Sequence, residues 1–149
     1  MGGSIVTRPR RSDPSALVDA LYGALRQGDA PALLSLLDPE FTALLTPGLP
    51  WGLGRGPIEG AELMLRDGWG VVARELDIAA LPEESFVVDD VIVVRGVYRG
   101  RARASGRPLD AWFVHIWRVR GSRFVGLRQV TDTAAWWDAL EPARAANDR

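Results

Sequence analysis

The residues best suited to chemistry lie in the stretch from Arg107 to Val130. It contains His115, the only histidine of the 149-residue chain, and the chain has no cysteine. Histidine is the side chain whose usual pKa allows proton transfer near neutral pH, so His115 is the candidate acid or base. One histidine without any cysteine does not make a zinc site of the usual nitrogen and sulfur type, and we predict no metal.

The sequence around His115 alternates as in a β-hairpin. We predict one strand from Leu109 to Val119 and a second from Phe124 to Val130, joined by a tight turn. Because successive side chains of a strand point to opposite faces, Phe113, His115 and Trp117 share one face. The opposite face carries Asp110, Trp112, Val114, Ile116 and Arg118. Both faces are largely apolar, so one is expected to cover a core or pocket and the other to meet a second layer or a second subunit.

The first half of the chain carries the signals of three helices. Aspartate is a favoured N-cap, proline fits the first helical position, and glycine often ends a helix. Apolar residues at helical spacing fill the segments between these boundaries. The predicted helices run from Asp13-Pro14 to Gly28, from Asp29 to Asp38-Pro39, and from Ile58 to Arg74. The third is expected to be interrupted or frayed near Gly68 and Gly70. A strand is predicted at Phe41 to Thr46 and a loop at Pro47 to Pro57.

The second half of the chain is dominated by strand signals. Strands are predicted at Leu76 to Leu81, Ser85 to Val88 and Val91 to Arg101, and a short helix, Ala134 to Leu140, follows the hairpin. Asp132 precedes that helix, where an N-cap role is favoured over catalysis. Helices followed by long antiparallel strands predict one α+β domain with its helices on one face of the sheet, leaving a cavity between the layers. We place this domain at residues 14–141, between a flexible lead (1–13) and a flexible tail (142–149).

Composition excludes several classes of partner. The net charge is −1, without the basic excess typical of nucleic-acid binding, and no apolar run is long enough to span a membrane. The first residues lack the apolar core of a signal peptide, so a cytoplasmic protein is expected. The glycines between Gly52 and Gly56 follow no convincing strand, and a turn-rich loop is favoured there over a phosphate site. No nucleotide or other cofactor is predicted.

Three segments resemble the NTF2-like superfamily. LYGALRQGDAPALLSLLDPEF is similar to its opening helices, RGPIEGAELM to its third helix, and GRPLDAWFVHIWRVRGSRFVGLRQVTDTAAW to its closing strands. The resemblance covers Ser15 to Leu140, and LRQVTDTA is closest to the SnoaL-like branch, which includes polyketide cyclases. It implies a strongly curved antiparallel sheet forming a cone, with three N-terminal helices on the concave face and a short C-terminal helix. It also implies a deep apolar pocket and a homodimer through the outer face of the sheet.

Two catalytic designs of this superfamily are not matched. The positions that hold the base, the tyrosine and the aspartic acid of ketosteroid isomerases correspond here to Thr46, Leu21 and His115, so the proton-abstracting carboxylate is missing. Tyr22 is one residue away from the tyrosine position, which on a helix is a rotation of about 100°. The Asp-Arg-Asp set of limonene epoxide hydrolases corresponds to Tyr98, Gly96 and Gln129, and all three differ.

The resemblance to SnoaL-type cyclases is only partial at the site. His115 matches their histidine, but Gln129 occupies the position of the aspartate that acts as acid and base. A glutamine side chain donates and accepts hydrogen bonds but cannot shuttle a proton at neutral pH. The candidate catalytic groups are therefore Tyr98, His115 and Gln129, and the candidate substrate-binding walls are Trp51, Trp69, Phe113 and Trp117.

Three functions remain open at this point. The first is a cofactor-independent cyclase or isomerase for an apolar, carbonyl-bearing, polyketide-like molecule, in which His115 moves a proton or polarises the carbonyl. The second is a non-catalytic binding protein for a hydrophobic metabolite. The third is a dimeric interaction module whose own tryptophans fill the pocket. His115 could equally be a satisfied core residue, and Tyr98 and the aromatic residues could serve packing alone.

Overall fold

The computed structural model describes residues 13–142. The predicted lead and tail therefore lie outside the described residues, apart from Asp13 and Pro142. Within the described part, one curved sheet of six strands carries helices on its inner, concave face. No helix in this range is both long and apolar enough to cross a membrane.

The first helix begins and ends, and the second begins, where their capping residues predict. The second helix ends earlier than predicted, at Leu36, because Asp38 and Pro39 belong to the first strand. Helix α1 is Pro14–Gln27, and the Asp13 carboxylate accepts a hydrogen bond from the Ser15 amide at 3.0 Å. Gly28 ends the helix in the left-handed conformation, at φ 62°. Helix α2 is Ala30–Leu36, and Asp29 caps it by accepting from the Ala32 amide at 3.1 Å.

The six strands form a single mixed sheet. They are β1 (Leu37–Leu44), β2 (Ile58–Glu59), β3 (Leu76–Val88), β4 (Val91–Ala102), β5 (Pro108–Arg120) and β6 (Arg123–Thr131). Their order is β2-β1-β6-β5-β4-β3. Every neighbouring pair is antiparallel except β1 and β6, which run parallel, so the expectation of a purely antiparallel sheet was wrong for this pair.

The predicted hairpin and its neighbours are present with longer strands. β5 and β6 form the predicted hairpin around His115. The two short strands predicted before Asp89 are one strand, β3, which passes through Pro82 with a shift of register between Pro82 and Glu84. Proline is tolerated here because β3 is an edge strand. The first strand also begins four residues earlier than predicted, at Leu37.

The predicted third helix, Ile58 to Arg74, is instead three consecutive helical turns preceded by a strand. Strand β2 pairs with β1, and Gly60 follows at φ 107°, a conformation that favours glycine. The helical part consists of α3 (Ala61–Leu63), a π-helical turn (Met64–Trp69) and α4 (Gly70–Glu75). Helix α5 is Thr133–Leu140, and Asp132 lies at its N-cap position without a side-chain capping bond.

The core lies between the helices and the inner face of the sheet. Large side chains from both layers are fully buried there: Leu21, Tyr22, Phe41, Phe113, Trp117, Phe124 and Trp136. The outer face of the sheet carries no helix, and Trp112, Ile116 and Val130 are exposed on it. The α+β fold with helices on the concave side of a curved sheet is thus confirmed.

Candidate functional site

The register of the central strands brings the three predicted polar residues together. His115 of β5 pairs with Gln129 of β6 on one side and with Val94 of β4 on the other. Tyr98 lies four residues beyond Val94, on the same face of β4. The exposed fractions of His115, Tyr98 and Gln129 are 4%, 7% and 8%, so all three polar side chains are removed from bulk water.

Both ring nitrogens of His115 contact a tyrosine hydroxyl. The Tyr98 oxygen lies 2.6 Å from Nε2, and the Tyr22 oxygen lies 2.6 Å from Nδ1. The planes of the Tyr22 and His115 rings differ by only 6°, whereas the Tyr98 ring is tilted by 51° to the imidazole. The chain has two tyrosines and one histidine, and both tyrosines are hydrogen-bonded to that histidine.

Further hydrogen bonds fix the two tyrosines. Trp117 Nε1 donates to the Tyr22 hydroxyl at 3.0 Å, and Gln129 Nε2 donates to the Tyr98 hydroxyl at 2.7 Å. Thr46 in turn donates to the Gln129 backbone carbonyl at 2.9 Å, which ties the loop after β1 to β6. We call Tyr22, Tyr98, His115 and Gln129 the tyrosine–histidine cluster.

Burial keeps the cluster uncharged at neutral pH. Desolvation lowers the pKa of His115 to about 3, because the imidazolium would be buried without a counter-charge. Desolvation also raises the pKa of both tyrosines well above the usual value, although the bonds from Trp117 and Gln129 act in the opposite direction. The imidazole is therefore neutral and the phenols keep their hydrogens, so the cluster offers hydrogen bonds rather than charge.

A cavity of about 480 Å³ opens in front of this cluster. Tyr98, His115 and Gln129 line its inner end, and mainly apolar residues of the helices and loops form its walls, including Leu33, Leu49, Leu53, Met64, Trp69 and Trp136. The exposed side chains of Arg26, Asp77 and Arg103 lie at its rim. Asp77 is the only carboxylate among the described lining residues.

The four predicted aromatic walls have different positions. Trp69, at the end of the π-helical turn, lines the cavity. Phe113 stacks on the His115 ring with centroids 4.0 Å apart, and Trp117 meets that ring edge-on at 5.7 Å; both are buried behind the cavity surface. Trp51 is 38% exposed on a 3₁₀ turn and does not line the cavity. The wall that sequence reasoning missed is Trp136, whose ring meets Tyr98 edge-on at 5.2 Å.

Sequence reasoning also missed the part played by Tyr22 and Thr46. Tyr22 was considered only as a residue one position away from the ketosteroid isomerase tyrosine, yet it is one of the most buried residues of α1. Its position beside Leu21, the residue aligned with the ketosteroid isomerase tyrosine, was the available signal. Thr46 was considered only as a replacement for a base, whereas it fastens the backbone of Gln129.

The described residues offer hydrogen-bond donors rather than metal ligands. Residues 13–142 contain no group of three or more histidine, aspartate and glutamate side chains placed to hold a metal ion. A neutral donor cluster at the end of an apolar cavity can bind and polarise an oxygen atom of a small molecule.

Known proteins share this architecture. An NTF2-like protein of unknown function from Burkholderia pseudomallei superposes with a TM-score of 0.76 at 28% identity, over 85% of this chain and 95% of that one. IdmH from Streptomyces antibioticus, described as a candidate polyketide cyclase, superposes with a TM-score of 0.73 at 24% identity, over 86% and 98%. A candidate SnoaL-like polyketide cyclase from Jannaschia superposes with a TM-score of 0.72 at 17% identity, over 85% and 90%.

Comparison with curated proteins gave no match. The family model of the SnoaL-like domain, in contrast, matches residues 18–127, which is most of the chain and includes Tyr22, Tyr98 and His115. The chain therefore belongs to the SnoaL-like domain family.

Proposed function

We propose that this protein binds an apolar, carbonyl-bearing small molecule in the cavity and acts on it as a cofactor-independent cyclase or isomerase. The observation that carries the proposal is the position of Tyr98, His115 and Gln129 at the inner end of an otherwise mainly apolar cavity. About 480 Å³ is within the usual range for a small-molecule site. A volume of this size also argues against a pocket filled by the protein's own tryptophans.

The polar end of the cavity suits a carbonyl oxygen. Gln129 and Tyr98 carry N–H and O–H groups there, and both groups are held in place by bonds to neighbouring residues. Hydrogen bonds placed in advance at an oxygen stabilise the negative charge that develops on it when a neighbouring C–H bond loses its proton. Tyr98 would be the polarising group, and His115 would hold it in position.

The chemistry of the cluster limits the substrate class. His115 is a weak base because burial holds its pKa near 3, and both of its ring nitrogens are already bonded. The inner end of the cavity has no carboxylate among the described residues that line it. We therefore expect a substrate whose own C–H is acidic enough to lose its proton to solvent water, such as the methylene between two carbonyls of a polyketide-like chain. The candidate cyclases among the structural relatives have the same fold, and a substrate of this class agrees with their names.

Binding is tested by tryptophan fluorescence with fluorenone, a flat aromatic ketone. Saturable quenching is expected, because Trp69 and Trp136 line the cavity. In a Trp69→Phe variant the amplitude of quenching should fall, while Trp112→Phe, on the outer face of the sheet, should keep the wild-type amplitude. Equal loss in both variants, or no saturation with the wild type, would contradict a ligand site in this cavity.

Catalysis is tested separately with a panel of linear and aromatic 1,3-diketones, followed by chromatography of the products. Wild-type protein should accelerate cyclisation or isomerisation of the diketones that it binds, and Tyr98→Phe should lose that acceleration while still binding. Binding without turnover across the panel would favour the second candidate function, a non-catalytic metabolite-binding protein. The glutamine at position 129, where the resemblance expects an aspartate, is the observation that supports this alternative.

We also propose that the outer face of the sheet pairs with a second copy of the chain. Phe86 of β3, Val93 of β4 and Ile116 of β5 are register partners across that face, and none of them is covered by a helix. Ile116→Asp should convert a dimer to a monomer in sedimentation equilibrium, whereas Leu34→Asp, at an exposed site on α2, should not. A wild-type monomer at all concentrations tested would refute the pairing.

A further inference from the structure

The tyrosine–histidine cluster contains more donor hydrogens than its internal bonds use. Neutral His115 has one N–H, each tyrosine has one O–H, and the Gln129 amide has two N–H groups, while Trp117 Nε1 beside the cluster has one more. Trp117 and Gln129 each donate to a tyrosine oxygen, and His115 bonds to both tyrosines. One tyrosine must therefore donate to the bare nitrogen of His115, while the other accepts the histidine N–H and keeps its own hydrogen free.

The surroundings of Tyr22 decide which tyrosine donates. Among the described residues, the Tyr22 hydroxyl bonds only to Trp117 and His115, and it is buried away from the cavity. If it accepted hydrogens from both partners, its own O–H would point into apolar packing without an acceptor, which is unfavourable. Tyr22 is therefore the donor to Nδ1, and His115 carries its hydrogen on Nε2.

The consequence appears at Tyr98, on the other side of the imidazole. Its oxygen accepts from His115 Nε2 and from Gln129 Nε2, at 2.6 and 2.7 Å. A phenol oxygen that accepts two hydrogen bonds still has its O–H to give, and Tyr98 lines the cavity. A ligand or water in the cavity can accept this hydrogen. Among the described residues, no protein group accepts it.

We infer that Tyr22 is a positioning residue that holds His115 in the Nε2–H tautomer. In this tautomer His115 donates to Tyr98, and the Tyr98 hydroxyl hydrogen points into the cavity. The site therefore selects ligands with an acceptor oxygen. The proton arrangement follows from the cluster alone. The selection of an acceptor oxygen rests, in addition, on the proposed function. Tyr22 does not line the cavity, so its influence passes through His115.

The proton arrangement is tested by ¹⁵N NMR of the untagged chain labelled at histidine. With one histidine in the sequence, the two ring nitrogens give an unambiguous pair of signals. Couplings to the ring C–H protons distinguish Nδ1 from Nε2. We expect a protonated Nε2 and a bare, hydrogen-bonded Nδ1 at neutral pH. A protonated Nδ1, an imidazolium, or two averaged signals in the wild type would overturn the inference.

The role of Tyr22 is tested in the same spectrum. Tyr22→Phe keeps the aromatic ring but removes the donor to Nδ1, so the Nδ1–H tautomer becomes populated and the two ring signals move toward each other. A residue that served packing alone would leave the tautomer unchanged. Wild-type signals in a folded Tyr22→Phe protein would therefore overturn the positioning role.

Ligand selection is tested with fluorenone and fluorene, which share a ring system and differ in the ketone oxygen. The measured quantity is the ratio of their dissociation constants, fluorene over fluorenone, in each protein. Loss of one hydrogen bond should lower this ratio about tenfold in Tyr98→Phe and several-fold in Tyr22→Phe. Trp112→Phe, on the opposite face of the sheet, serves as the control with an unchanged ratio.

The outcomes separate the two proposals. A ratio that stays at the wild-type value in Tyr98→Phe would overturn the selection by Tyr98, even if both compounds bind in the cavity. If neither compound binds to any variant, the proposed function fails and the selection fails with it. The NMR result would still decide the proton arrangement, because that measurement needs no ligand.

Discussion

The two faces of β5 differ in how their polar groups are satisfied. On the inner face, His115 is bonded at both nitrogens and surrounded by aromatic rings, and no charged partner takes part. On the outer face, Asp110 and Arg118 form ion pairs with Arg99 and Asp90, and more than half of each of these side chains is exposed. Residues three to five positions apart on one strand thus occupy very different environments.

This difference determines how strongly each face responds to substitution. Exposed ion pairs are screened by water and contribute little to stability. Buried aromatic residues contribute through the area they remove from water, and a buried polar group left without its partner costs about 1–3 kcal/mol. The inner face is therefore expected to determine both stability and ligand recognition, while the outer face is open to association with another molecule.

The largest effect is expected from the matched pair Trp117→Ala and Trp112→Ala. Trp117 is fully buried and donates to Tyr22, whereas Trp112, on the same strand, is 51% exposed. Truncating Trp117 should lower the free energy of unfolding by about 3–5 kcal/mol, and truncating Trp112 by about 1 kcal/mol or less. Urea denaturation followed by circular dichroism measures both. Equal costs would mean that the outer face is as well covered as the inner one.

The next effect concerns pH. The pKa of His115 is lowered from 6.5 to about 3 by burial, so between these values the unfolded chain binds a proton that the folded chain does not. The contribution of neutral His115 to the free energy of unfolding is fully present above pH 6.5. It falls by about 1.4 kcal/mol per pH unit as the pH decreases toward 3. Unfolding free energies of wild type and His115→Phe, measured from pH 7 to pH 4.5, should show a steeper decline in the wild type. Parallel profiles would refute a neutral, buried His115.

Much of the fold could be predicted because its signals are local. Alternation alone placed Phe113, His115 and Trp117 on one face of a strand, and aspartate, proline and glycine marked both ends of α1 and the start of α2. These signals depend on residues a few positions apart. The resemblance supplied the rest of the fold, through the order of the three matching segments.

The missed features depend on contacts that are distant in sequence or on backbone geometry. The bond from Tyr22 to His115 spans 93 residues, and no periodicity indicates which side of α1 faces β5 at that point. The interruption expected near Gly68 and Gly70 coincides with a π-helical turn and the start of α4, but the strand that replaces the first residues of this helix depends on the pairing of Ile58 and Glu59 with β1. Neither pairing nor helix type can be read from apolar spacing alone.

A smaller loss of stability is expected from a substitution at Gly96, which lies on the inner face of β4 next to the tyrosine–histidine cluster. A Cβ there would collide with the Leu81 carbonyl oxygen and lie 2.6 Å from the Phe113 ring, which stacks on His115. Gly96→Ala should lower the free energy of unfolding by about 2 kcal/mol through overpacking. Gly126→Ala is the matched control, since its Cβ would lie 3.7 Å from the nearest atoms. Thermal or urea unfolding compares the two, and a neutral Gly96→Ala would show that Phe113 can move without cost.

The smallest effect is expected from the Arg99–Asp110 pair of the outer face. Its atoms are 3.5 Å apart, and the side chains are 62% and 67% exposed. Arg99→Gln and Asp110→Asn should each change the unfolding free energy by less than about 0.5 kcal/mol, with a coupling energy no larger than that in the double-mutant cycle. Measuring the double-mutant cycle at low and high protein concentration also tests whether the outer face pairs with a second copy of the chain. A coupling that increases with concentration would mean that a second copy of the chain removes this pair from water, because a desolvated ion pair interacts more strongly than an exposed one.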